Sequence, residues 1–281
     1  MNRIDWGEIW TGQMKKASWR NRHLDAGRND PNEYNRLRTI AEQYDLDSRA
    51  RELISNQSDW ILSRVNLHPD LTIMDIGSGP GTLAIPLSRR ARHVTAIDPS
   101  SEMLSCLRRR SIDEKIENIR IINKTWEEIL PFEDVNPHDI LVASYSLYML
   151  DMRSALKKMI SLANEYIFLF TFVGNPGWEY TALWPLLYEE EYNIGPDYIN
   201  LYNILYDMGI YANIEIFDFE HTHRFASIRK CVDYITASIS DFSTRSKRII
   251  EEYVSTSLIR DNNQIVSQNK IRTAAVWWRI S

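Results

Sequence analysis

The sequence predicts an α/β protein: a doubly wound, seven-stranded, mostly parallel sheet with an N-terminal helical extension and helical lid insertions. Three observations carry this. First, apolar strand-like runs at 71–76, 94–98, 118–123, 139–144 and 165–172 are separated by helical patterns at 82–91, 101–111, 125–130 and 151–163. Such alternation builds a parallel sheet covered on both faces. Second, the first strand runs straight into glycines at alternate positions, Gly77, Gly79 and Gly81, where the chain must turn with positive φ or admit a ligand to its backbone. Third, 281 residues with 44% hydrophobic and 25% charged side chains suffice for one large globular domain with insertions.

Residues 1–40 are polar and carry Trp6, Trp10 and Trp19; the spacing of Ile4, Trp6, Ile9, Trp10 and Met14 suits short amphipathic helices. Arg20 to Pro31 reads as loop, and a helical face of Leu37, Ile40, Ala41 and Tyr44 follows. A second helix, Leu46 to Val65, ends before His68-Pro69-Asp70. The strand–helix core occupies 41–172. Gly174-Asn175-Pro176-Gly177 then opens an aromatic insertion over 173–212, in which Tyr198, Tyr202 and Tyr206 form one helical stripe. Residues 213–281 complete the sheet with strands at 213–219 and 271–279, around a second helical insertion at 224–268. Pro86 falls near the start of the first helix after the glycines, where proline is best tolerated.

The glycine loop, Met74-Asp75-Ile76-Gly77-Ser78-Gly79-Pro80-Gly81-Thr82, carries the chemistry. A dinucleotide site wants G-x-G-x-x-G; here the third glycine comes one residue early, and Pro80 removes a backbone donor. No Lys-Ser/Thr pair follows, which excludes a P-loop. Twenty-three residues beyond Asp75 a second apolar strand, Val94 to Ile97, ends on Asp98, placed to accept hydrogen bonds from ribose hydroxyls.

These motifs, with Ser100-Ser101-Glu102-Met103-Leu104 opening the next helix, resemble class I S-adenosylmethionine-dependent methyltransferases over residues 41–172. The nearest likeness is the small-molecule branch that methylates quinone precursors. The resemblance implies the Rossmann-like methyltransferase fold, its last strand antiparallel, with S-adenosyl-L-methionine as cofactor and S-adenosyl-L-homocysteine as product. It implies that Gly77, Ser78 and Gly79 approach the methionine part of the cofactor and that Asp75 orients the loop towards its ammonium group. Asp98, with Pro99, would take the ribose. Many relatives have an aspartate for adenine where this chain has Lys124, so adenine contact would fall to Thr125 and Trp126; a core role for Trp126 is the alternative.

Strand four ends in Ser144-Tyr145-Ser146-Leu147-Tyr148-Met149-Leu150, a pattern common in the small-molecule branch. Ser144 would lie by the cofactor, and Tyr145 and Tyr148 by the acceptor. The Asn/Asp-Pro-Pro-Tyr/Phe tetrapeptide that serves planar amino groups is absent, which disfavours adenine, cytosine or glutamine acceptors. Tyr44, in the entry helix Ala41-Glu42-Gln43-Tyr44-Asp45, and Trp178 and Tyr180, in the aromatic insertion, are further substrate candidates. Methyl transfer mainly requires alignment, and a base only where the acceptor must lose a proton. His221 and His223, which share a face of an extended chain, are candidates for that base, with Tyr145; two packing histidines are the alternative. No ligand spacing around them predicts a metal.

A net charge of −5 and a pI near 5.8 disfavour a polyanionic partner. The basic runs Arg89-Arg90-Arg92 and Arg108-Arg109-Arg110 sit at helix ends, where cations are favoured. No apolar run approaches the roughly 20 residues of a membrane span, the first residues do not read as a signal peptide, and two distant cysteines fit a reducing cytosol. The expectation is a cytoplasmic enzyme acting on a small, flat or apolar acceptor, with a homodimer open. The alternatives are a cofactor-binding partner protein without turnover, an RNA or protein methyltransferase, and a nicotinamide-dependent dehydrogenase, against which the glycine spacing argues.

Overall fold

A computed structural model describes residues 4–18, 57–175, 179–239, 243–261 and 264–280. Its strands are β1 (Thr72–Ile76), β2 (His93–Ile97), β3 (Ile119–Ile122), β4 (His138–Ser144), β5 (Ala163–Phe172), β6 (Asn213–Phe225), β7 (Ile259–Asp261) and β8 (Gln264–Arg279). Its helices are α1 (Trp6–Lys16), α2 (Ala84–Ser88), α3 (Ser101–Asp113), α4 (Met152–Ser161), α5 (Glu179–Tyr188), α6 (Tyr198–Asp207), α7 (Ile228–Ile239) and α8 (Thr244–Ser257); residues 57–62 are also helical. The strand order is β3-β2-β1-β4-β5-β8-β6, with the short β7 on β8. The pairings from β3 to β5 are parallel, and β8 is antiparallel to both β5 and β6. The sheet is therefore the seven-stranded, doubly wound one the sequence predicts, with one added strand.

Successive residues of a strand point to opposite faces, and the sequence uses both. Met74, Ile76, Leu141, Ala143, Ile167 and Leu169 pack with α1, α4 and α6. Ile73, Val94, Ala96, Ile140, Val142, Phe168 and Phe170 pack with residues 57–62, α2 and α3. Burial on both faces explains why the central strands are nearly continuous apolar runs.

The N-terminal helix belongs to this core. Asp5 caps α1 by accepting from the amides of Gly7 and Glu8. Trp10 is buried, its Nε1 donates to Met149 O at 2.8 Å, and Thr11 Oγ1 donates to Leu150 O at 2.8 Å. The helix thus clamps the loop that leaves β4.

Three expectations need correction. Residues 125–130 form turns rather than an α-helix: Glu128 N and Ile129 N donate to Thr125 O and Trp126 O, three residues back, and Lys158 Nζ takes up the carbonyls of Trp126, Glu127 and Ile129. The insertion at 173–212 is not one lid. Its first helix, α5, packs with α7 and α8 around Leu183, Trp184, Leu187, Ile235 and Ile250, whereas α6 packs against α1 and the sheet. The second insertion is shorter than 224–268, because β6 and β8 continue as a paired ribbon to Phe225↔Ile265. That ribbon outruns β5, whose last row is Phe172↔Thr273, and it carries the α5–α7–α8 cap. No helix among the described residues is long and apolar enough to cross a membrane.

Candidate functional site

The glycine loop, the end of β2 and the end of β4 meet at the carboxyl edge of the sheet, where ligands of open α/β sheets bind. Gly77 and Ser78 donate their amides to Ile97 O at 2.8 and 3.0 Å, which ties the loop to β2. Two of the glycines answer to packing. A Cβ on Gly77 (φ +73°) would stand 2.2 Å from Ser146 Cβ, and one on Gly81 would stand 2.2 Å from Leu107 Cδ1. Gly79 (φ +52°) has nothing within 4 Å of that position. Its surface is open, which is what the backbone approach of a ligand requires.

Two acids lie beneath this opening. Asp98 accepts from Gly79 N at 2.9 Å and from Ser100 N at 2.8 Å. Burial raises its pKa, against the pull of those two amides. Asp75 is 2% exposed. Burial, and then the negative charge of Asp98, push its carboxyl up to about 7, partly opposed by the Ala84 amide. Asp75 Oδ2 and Ser78 Oγ, both buried, have no hydrogen-bond partner among the described residues. Buried polar atoms are rarely left so, and two in one loop mark a place shaped for a polar ligand.

The neighbouring elements are firmly anchored. Asn123 Nδ2 donates to Asp98 O at 3.0 Å. Lys124, at the position where an acid was expected, donates to both oxygens of Asp134 at 2.6 and 2.7 Å, so its charge is neutralised within the loop. Thr125 donates its amide and hydroxyl to Glu128. Trp126 is buried in the core and donates to Ala155 O at 3.3 Å, in keeping with the core role that stood as the alternative to an adenine contact.

At the end of β4, Ser144 Oγ donates to Gln57 Oε1 at 3.2 Å, and Gln57 Nε2 donates to the Tyr145 hydroxyl at 3.1 Å. That hydroxyl also shares a 2.7 Å hydrogen bond with Thr273 Oγ1. Tyr145 takes the left-handed conformation (φ +53°) and stacks on Phe172 at 4.5 Å. Ser146 Oγ donates to Ile76 O at 2.5 Å, Pro99 is exposed, and Tyr148 is 44% exposed.

His221 and His223 lie on β6 opposite Asn269 and Ser267, four and six residues beyond Phe217, the last β6 residue level with the end of β5. That is roughly 13 and 20 Å along the strand. His223 meets the rings of Tyr234 and Phe225 edge-on at 5.2 and 5.8 Å, a packing environment. Tyr44 and Trp178 lie outside the described residues, as do the side chains of Tyr180 and His221. Sequence reasoning missed Gln57 and Thr273, which no motif marks; the serine spacing in Ser144-Tyr145-Ser146 was the one available signal for Ser146.

Residues 73–165 match the family described as methyltransferase domain. This stretch is a class I S-adenosylmethionine-dependent methyltransferase domain. It covers about a third of the chain, from β1 to the start of β5. The whole fold is similar to a candidate methyltransferase of Bacillus halodurans C-125, at TM-score 0.54 and 10% identity over 80% of this chain and 98% of that one. It is also similar to the YcgJ protein of Bacillus subtilis, at TM-score 0.53 and 15% identity over 82% and 98%. An uncharacterized protein of Haemophilus influenzae is 27% identical over 235 residues, 82% of this chain and 85% of its own. A shorter likeness, 33% over 88 residues, links the chain to a Methanosphaera stadtmanae protein assigned as ribosomal RNA small subunit methyltransferase A; it covers 30% of this chain and 32% of that one. The domain's cofactor is S-adenosylmethionine, and the loop's chemistry fits it: an open Gly79, two orphaned buried polar atoms, and an acid whose neutral form an ammonium group would convert to the carboxylate.

Proposed function

We propose that this methyltransferase acts on a small, flat or apolar acceptor, seated over the end of β4. The observation that carries the reading is the pairing of the open, polar glycine loop with an aromatic wall directly beside it, Tyr145 stacked on Phe172. Aromatic faces favour flat acceptors and keep water from the reacting centre.

Asp75 would meet the cofactor's ammonium, Asp98 its ribose diol, and the backbone around Gly77 and Gly79 its methionine part, with Ser78 and Ser144 alongside. The cofactor, once bound, supplies a methyl group on a sulfonium sulfur, and in-line transfer to an acceptor leaves S-adenosyl-L-homocysteine. The chain's part is alignment and exclusion of water. Tyr145, fixed by Gln57 and Thr273, would position the acceptor. Tyr148 is a second acceptor contact at the mouth. The ring contacts of His223 favour a packing role, which favours an acceptor whose methylation needs no general base.

The test has two parts. Calorimetry should detect binding of S-adenosylmethionine and S-adenosylhomocysteine but not of NAD. Asp98→Ala should weaken that binding by about 1.5–3 kcal/mol, the worth of a charge-assisted hydrogen bond. Methyl-labelled cofactor is then offered with a small-molecule extract and, separately, with ribosomal RNA. Label in the low-mass fraction alone supports the reading, whereas label in RNA overturns the small acceptor.

A further inference from the structure

At the opposite, amino edge of the sheet, three side chains from distant parts of the chain converge. His68 comes from the turn before β1, Asp139 from the start of β4 and Glu165 from the start of β5. One ring nitrogen and two carboxylate oxygens lie within 4.8 Å of one another, all three residues half-buried, and His68 Nε2 stands 3.9 Å from Asp139 Oδ2. We propose that His68, Asp139 and Glu165 form a structural site for a divalent cation of the zinc class.

The arrangement is built rather than incidental to a charged surface. The β4–β5 register shifts between His138 and Ile140, which pair with Ala163 and Tyr166; the extra residue on β5 brings Glu165 to Asp139, the kind of re-aiming that bulges provide. The Glu165 backbone is fixed by the Ile280 amide at 2.7 Å. Asp139 is oriented by its neighbours: its Oδ2, the oxygen 3.9 Å from His68 Nε2, accepts from Thr72 N and Oγ1, both at 2.8 Å, and its Oδ1 accepts from Asn164 Nδ2 at 3.4 Å. Metal-binding carboxylates are oriented by outer hydrogen bonds of this sort. The Glu165 carboxylate has no hydrogen bond or ion pair with any described residue, and no lysine or arginine among them pairs with either acid.

The donor set of one imidazole and two carboxylates suits zinc, which binds such atoms at about 2.0–2.2 Å. In zinc's tetrahedral geometry such bonds place ligand atoms about 3.4 Å apart, so donor atoms now within 4.8 Å of one another must close by up to about 1.4 Å, through side-chain rotation. The site lies one strand length, roughly 17 Å, from the glycine loop. Its effect is therefore on the fold: it would pin the turn before β1 to the start of β4 and β5.

The experiment uses the full chain freed of metal by a chelator and titrated with Zn2+, read by calorimetry and by the thermal midpoint. One ion per chain should bind and raise the midpoint. His68→Ala and Glu165→Gln should each weaken binding at least about tenfold and abolish the rise in midpoint, while leaving the metal-free protein folded. Asp139→Asn also disturbs the Thr72 contact and is not relied on. His93→Ala, at the other histidine pair of this edge, should leave the affinity unchanged. Absence of stoichiometric binding, or affinity that survives both His68→Ala and Glu165→Gln, would overturn the proposal.

Discussion

Replacing Asp75 by asparagine isolates the electrostatics of the glycine loop. In the folded chain this carboxyl is 2% exposed and is pushed up from 3.8 to about 7, first by burial and then by the Asp98 charge. Because the folded value lies above the unfolded one, the native state keeps a proton that the unfolded chain has already released. Stability is therefore full below the unfolded value and falls as pH rises through the folded one. Between about pH 5.5 and 7 the loss is about 1.4 kcal/mol for each pH unit, or about 2 kcal/mol in all. Asparagine cannot ionise, so the variant lacks that slope, and any fixed cost of burying its amide is the same at both pH values. Urea unfolding without cofactor, at about pH 5.5 and about pH 8, should show the variant gaining about 2 kcal/mol on the wild type as pH rises. An equal stability difference at the two pH values would refute the claim that the carboxyl is held neutral.

Three further outcomes follow from the same edge of the sheet. Gly77→Ala should destabilise by about 3 kcal/mol or more, from positive φ and the collision with Ser146 together. Gly79→Ala should cost only about 1–2 kcal/mol yet lose cofactor affinity; thermal melts and calorimetry separate the two, and equal effects on both readouts would count against the division of roles. Tyr145→Phe leaves the fully buried Thr273 hydroxyl without this bond, at a cost of about 1–3 kcal/mol. It should lower kcat while leaving cofactor affinity intact, and a fall in affinity with unchanged kcat would contradict a role in placing the acceptor.

Most of the sheet was legible from its strands, because Ile73, Val94, Ile140 and Phe168 on one face and Met74, Leu141, Ile167 and Leu169 on the other leave no polar side to mistake. The glycine loop was legible for a similar reason, since few residues other than glycine accept its backbone angles. What escaped was set by contacts between distant residues. Where a helix was expected over 125–130 there is a turn whose carbonyls are held by Lys158, about thirty positions away. The aromatic stretch 173–212 looked uniform in sequence, yet Trp184 belongs to the cap while Leu201 and Ile204 belong to the sheet. Trp126 offered an adenine platform on paper and a core ring in fact. Gln57 and Thr273 reach Tyr145 from positions 88 and 128 residues away, a distance no local pattern encodes.

The clamp of α1 on the loop after β4 bears on where this protein can be cut. A fragment trimmed to the family-matched block 73–165 would end early in β5 and discard Trp10, along with β8, the strand that seals β5. Met149 O would lose its donor, and the apolar β4 residues Leu141, Val142 and Ala143, stripped of their β5 partners, would face water on the severed sheet. Exposed strands of that kind recruit one another. Solubility of truncated forms should therefore track retention of residues 4–18 and 264–280 rather than of the catalytic block, which makes the two ends of the polypeptide, and not its middle, the guardians against aggregation.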